Sequence, residues 1–216
     1  MRAVVAIARA RHAARIAGLA LIVALVAACA RTPRPVSLTG AWPAQGGDYK
    51  RVTRAWTRAA SIRAEYQLVA KIHATLKSPE WRAAWLARRV RTGSLGAQAQ
   101  ADLERREHDA DAAAVEVEII LVTWDRREND LERGDRSVWR LWLVDADGNE
   151  IPPIEVKRDK RPENIIRSEF PSFGDFSQAY VARFPRTDRI FGPGVDSVAL
   201  RLSSTRGGVQ LIWHAP

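Results

Sequence analysis

The residues of this chain that could carry chemistry are few and widely spaced. His73, His108 and His214 follow the first apolar stretch, and no two lie within thirty residues of one another. Zinc sites draw on His, Cys and carboxylates at close spacing, so no metal centre is expected. The run Asp145-Ala146-Asp147-Gly148-Asn149-Glu150 places oxygens at alternate positions, as a hard cation requires. A calcium loop needs glycine at the sixth place and glutamate at the twelfth, where this chain has Glu150 and Val156. The same run suits a hairpin turn, because Asp, Gly and Asn accept positive φ. Glu116 and Glu118 project from one face of a strand about 7 Å apart, a distance at which carboxylates can share acid and base duties. Exposed alternation on a sheet is far commoner and neither residue lies in an evident cleft, so no catalytic role is expected of them. No Gly-x-Ser-x-Gly elbow and no Gly-rich phosphate loop occurs, and no motif asks for a cofactor.

Two clusters combine aromatic rings with charge or with loop-forming residues. Trp81 and Trp85 stand among Arg82, Arg88, Arg89 and Arg91, a mixture that would suit single-stranded nucleic acid or an anionic surface. The second cluster is Phe170-Pro171-Ser172-Phe173-Gly174-Asp175-Phe176. Its Pro and Gly mark a loop, and loops carry recognition more often than strands do. The leading readings are structural, a solvated basic face with its tryptophans in the core and a loop that plugs the end of the sandwich; the alternative makes Phe170, Phe173, Phe176, Trp81 and Trp85 the candidate partner-binding residues.

Cys29 is the only cysteine. It ends the order Val26-Ala27-Ala28-Cys29 behind the 13-residue apolar run Ile16 to Ala28, and Arg2, Arg9, Arg11 and Arg15 precede that run without an acidic residue. A basic region, an apolar region and small residues before a cleavage point make an export signal. Spanning a bilayer takes about 20 apolar residues, so a permanent transmembrane helix is disfavoured. The cysteine behind small residues resembles the lipobox of bacterial lipoproteins, and the resemblance covers about the first thirty residues. It implies that Cys29 becomes the lipidated first residue of the mature chain. Two or more acyl chains then hold the protein stably on its membrane. It also implies that no free thiol remains for disulfide or metal chemistry. The residue after the cysteine is Ala30 and not aspartate, which by the family's sorting tendency favours the outer membrane in a double-membrane organism, and the expected location is its periplasmic side. Export makes lipid phosphates and envelope polymers the accessible partners and excludes nucleic acid.

The elements that must position these residues read as follows. Of the net charge of +9, four charges belong to the signal arginines. The remaining basicity lies in residues 50–113, while 114–216 is slightly acidic. Residues 29–48, rich in Pro and Gly, read as a tether. Apolar residues every three or four positions from Val52 to Leu76 predict one long helix. Ser78-Pro79 caps a second helix running to about Arg91, and Leu95 to Ala114 predicts a third with a thin apolar stripe. At Val115 the period changes to two. Strands are expected at 115–122, 138–144, 150–157, 178–184, 197–203 and 209–213.

The expected fold class is α+β: a helical segment, 49–113, packed on an Ig-like antiparallel β-sandwich, 114–216. Trp139 and Trp142, three apart in one strand, face opposite sides and should both be buried. Trp56, Tyr66 and Val69 should pack on the sheet. The expected function is a membrane-anchored, non-enzymatic binding or scaffolding module whose partner is an envelope protein or cell-wall polymer. The alternatives are an envelope hydrolase whose carboxylates converge in a cleft, or an accessory lipoprotein of an export or surface-assembly machine.

Overall fold

The computed structural model describes residues 33–216, so Cys29 and the signal segment lie outside the described residues. Asp48 opens the first helix, α1 (Tyr49–Trp56), its carboxylate accepting from the backbone of Arg51 at 2.8 Å. The helix stops after eight residues and the chain becomes extended at Thr57. It then forms a hairpin, β1 (Thr57–Ala64) and β2 (Gln67–Leu76). The single helix expected from Val52 to Leu76 is thereby corrected. Ala70, Ile72, Ala74 and Leu76 sit at a spacing that serves a strand, and all four are buried. Pairing with β3 (Val115–Thr123), from Ala70 opposite Thr123 to Leu76 opposite Val117, supplies their backbone partners. Tyr66, expected in the core, is fully exposed at the hairpin turn, whereas Trp56 and Val69 are buried.

The other two helices form as expected. Ser78 caps α2 (Pro79–Gly93), its hydroxyl accepting from Trp81 N at 3.1 Å. The third helix, α3 (Ala97–Ala113), exposes most of its surface. The remaining strands are β4 (Arg140–Val144), β5 (Glu150–Ile151), β6 (Glu155–Arg158), β7 (Gln178–Phe184), β8 (Ser197–Ser204) and β9 (Gly207–His214). The expected strand 150–157 is split by Pro152-Pro153, which cannot donate to a ladder. Its halves join different sheets, β5 beside β4 and β6 beside β7. A short helix, α4 (Glu163–Glu169), was not signalled by periodicity.

The fold is α+β with two antiparallel sheets, ordered β1-β2-β3-β7-β6 and β5-β4-β8-β9. One core holds Val117, Ile119 and Leu121 of the first sheet together with Leu143, Leu200 and Leu202 of the second. The sheets meet where β1 lies beside β9. There Trp213 Nε1 donates to Trp56 O at 2.8 Å, and the buried Arg58 donates to four carbonyls, those of Ile212, Ala55, Thr57 and Arg34. Burial without a carboxylate partner lowers the Arg58 pKa to about 10, and the carbonyl dipoles satisfy its N–H groups.

The chain before α1 is packed from Val36 onward. Val36 and Leu38 are buried, Val36 N donates to His214 O at 2.8 Å, and Gly192 N donates to Leu38 O at 3.0 Å. Gly46 permits the approach to α2, since a Cβ there would stand 2.3 Å from Ala83 O. Arg34–Pro216 forms one compact unit that contains every core residue. No helix among the described residues is long and apolar enough to cross a membrane.

The two tryptophans of the β4 region part company. Trp139 is buried, its Nε1 donating to Glu128 O at 2.6 Å, but Trp142 is only half-buried. Trp142 stands beside Arg201, on the strand face opposite the core residues Leu141 and Leu143.

Candidate interaction surface

The helices cover the outer face of the first sheet through a layer of ion pairs, and that layer takes up most of the residues singled out from sequence. Trp81 is buried, stacks on Phe170 with centroids 5.8 Å apart and donates from Nε1 to Thr53 Oγ1 at 3.1 Å. Trp85 Nε1 donates to Glu169 Oε1 at 3.0 Å. Phe173 is buried. These four aromatics hold α2 and α4 to the sheet. The arginines around them are equally committed. Arg82 is buried and donates to Glu107 at 2.6 Å and to Glu116 at 3.0 Å. Arg88 lies over the Tyr49 ring and donates to Ser168 O, and Arg89 lies over Trp85.

Glu116 and Glu118 share a face, as read from their spacing, but that face is covered. Glu118 is fully buried, with Lys77 Nζ 2.9 Å from its Oε2, a contact that lacks good hydrogen-bond alignment at either carboxylate oxygen. Burial pushes its carboxyl above the usual range, and Lys77 offsets this in part. Asp159, although burial pushes the other way, is held below the usual carboxylate range by Arg161. Arg161 also pairs with Glu169 at 2.6 Å. A second knot ties α3 down despite its thin apolar stripe. Asp111 accepts from Arg186 at 2.6 Å and from Trp42 Nε1 at 3.0 Å, and the Trp42 ring lies over His108 at 3.8 Å. Both knots have the character of buried structural ion networks rather than of an open site.

One predicted residue differs from all the others. Phe176 is 67% exposed at φ 68, in the left-handed region where a bulky side chain is strained. The Arg126 guanidinium lies 4.5 Å from its ring centroid. No carboxylate pairs with Arg126 among the described residues. The strand registers show what lies nearby. Gln178 pairs with Leu121, so Phe176 belongs at the C-terminal end of β3, where Trp124, 70% exposed, follows the last strand residue. Trp124 N donates to Val69 O near the β1–β2 turn, which carries Tyr66. Val138, also exposed, precedes β4 at the same end, and Arg206 in the β8–β9 turn pairs with Glu128 there. Beside Phe176 a polar recess of about 290 Å³ is lined by Arg126, Asn129, Arg158, Glu163 and Gln178 among others.

Four connections thus converge at one end of the two sheets and present Tyr66, Trp124 and Phe176 to solvent with arginines between them. Sequence reading found Phe176 through its loop. It missed Trp124 and Tyr66, for which the only signal was an aromatic next to a strand end. The opposite end carries the Asp145 turn, whose carboxylate accepts from Asp147 N and Asn149 N at 2.9 Å, the geometry of a turn and not of a cation loop. Among the described residues no group of His, Cys, Asp and Glu could hold a metal ion. No known protein family, curated protein sequence or solved structure matches this chain.

Proposed function

We propose that this protein is a lipid-anchored binding module of the bacterial envelope, held at Cys29 and engaging an envelope protein or cell-wall polymer through the end that carries Phe176, Trp124 and Tyr66. The observation that carries this reading is Phe176. A phenylalanine kept in a strained conformation with its ring in water is explained by what the ring meets, because solvent exposure returns no packing energy for the strain. Aromatic and arginine side chains are the ones that anchor interfaces. The polar recess at the foot of Phe176 adds directional hydrogen-bonding groups beside the apolar anchor.

Attachment at Cys29 fits this use. Val36, seven residues later, is bonded to His214 at the end of β9 opposite the aromatic end, and β9 is about 25 Å long at roughly 3.3 Å per residue. The described chain thus enters the fold at the end remote from the aromatic residues. The two antiparallel sheets, sharing one core, are read as facing layers of a sandwich of the Ig-like kind. The test compares affinity capture from detergent-solubilised membranes by the wild-type chain and by Phe176→Ser/Trp124→Ser. Both side chains are exposed, so the melting temperature should not fall. Capture of one discrete species by the wild type, reduced at least tenfold in the double variant, is the expected result. Undiminished capture by the variant would contradict the assignment of the surface. A Cys29→Ser control should leave the detergent phase, and unchanged partitioning would contradict the anchor.

A further inference from the structure

A separate recess of about 320 Å³ lies between α1, the start of β1, the end of β2 and the residues that follow α4. That volume is at the lower end of small-molecule sites. Its walls are rich in carbon, from the rings of Tyr49 and Phe170, Pro171 and the methyl groups of Thr53, Thr57 and Thr75. The polar groups within it are largely arranged already. Thr57 Oγ1 donates to Thr53 O at 2.7 Å and lies 2.8 Å from Thr75 Oγ1. Its only proton is therefore used, and Thr75 is the donor of the second bond. Glu169, the one carboxylate in the lining, has both oxygens engaged, by Arg161 at 2.6 Å and Trp85 at 3.0 Å.

The mouth is different. Lys50 and Arg54 line it, one helical turn apart on α1 and both exposed. Neither has a carboxylate within ion-pair distance among the described residues. We infer that this recess binds a small amphiphilic anion, with an alkyl or aryl body against Tyr49 and Phe170 and a carboxylate or phosphate head between Lys50 and Arg54. An uncharged apolar ligand would leave the two cations unused, and an inorganic anion would leave the carbon walls wet. The amphiphilic anion satisfies both. This site is distinct from the aromatic end and does not depend on the reading given to it.

The test uses the chain from Ala30, which keeps the entire described core, titrated below micelle-forming concentration with octyl phosphate, octyl glucoside and inorganic phosphate and followed by amide NMR. Octyl phosphate should give saturable shifts at Thr53, Thr75 and Ser172, with octyl glucoside and inorganic phosphate each at least tenfold weaker. Lys50→Gln/Arg54→Gln, both on the surface, should keep the melting temperature and weaken octyl phosphate about tenfold. Equal affinity for octyl glucoside or for inorganic phosphate, unweakened binding by the double variant, or no saturable shift at those three residues would each overturn the inference.

Discussion

Burial holds the Glu118 carboxyl above the usual carboxylate range, and Lys77, 2.9 Å away, offsets only part of that cost. A carboxyl that keeps its proton more tightly folded than unfolded contributes stability below the unfolded pKa of about 4.3, and this is lost as pH rises through the folded value. Glu118→Gln keeps the shape and removes the titration. Thermal unfolding between pH 4.5 and pH 8 should therefore show the wild type progressively losing stability relative to the variant as pH rises. Parallel pH profiles would show that Glu118 does not titrate in this range. The same residue marks a limit of reading carboxylates from a strand. Alternation places Glu116 and Glu118 correctly on one face, but which face α2 will cover depends on Lys77, Arg82 and Arg161, residues far apart in sequence that only the fold assembles.

At the scale of elements, the β1–β2 hairpin shows why part of the chain was illegible. Alanines and arginines dominate Thr57–Ala64, and neither type favours a strand strongly. The turn is made by Glu65 and Tyr66, with Glu65 at φ 54, where two-residue turns normally place Asn, Asp or Gly. Without that punctuation, the apolar spacing from Val52 to Leu76 fits a helical stripe. The strands after Val115 were legible because β-branched residues alternate and Asp147-Gly148-Asn149 and Arg206-Gly207-Gly208 mark turns. Helix α4 was not, since its seven residues are too few to show a period. The strained turn gives a direct expectation. Glu65→Gly removes the steric conflict of a side chain in the left-handed region, so it should stabilise the protein by about 1 kcal/mol in denaturant unfolding, net of the added chain entropy. A destabilised variant would mean that the Glu65 side chain contributes more than the strain costs.

Across the whole molecule, β3 buries residues on both of its faces, and the helices supply the cover on the outer side of the first sheet. The cover reaches further than expected. Residues 57–76 become two strands of that sheet, and Arg58 and Trp213 lock them to the second. A division at residue 114 therefore cuts through the sheet at the β2–β3 pair. The aromatic end was legible only at Phe176, because Tyr66 comes from the β1–β2 turn and Trp124 and Val138 from the β3–β4 connection, and these converge with it through strand register alone. That convergence is what gives the described fold two unlike ends, one where Val36 pairs with His214 and one with exposed aromatics. The direct measurement is site-specific photocrosslinking in living cells, with benzoylphenylalanine replacing Phe176, Trp124 or, at the opposite end, the exposed Asp188. Discrete adducts of one mass class from positions 176 and 124 and none from 188 are expected. No adduct from 176 and 124, or an equal pattern from 188, would contradict a partner-binding aromatic end.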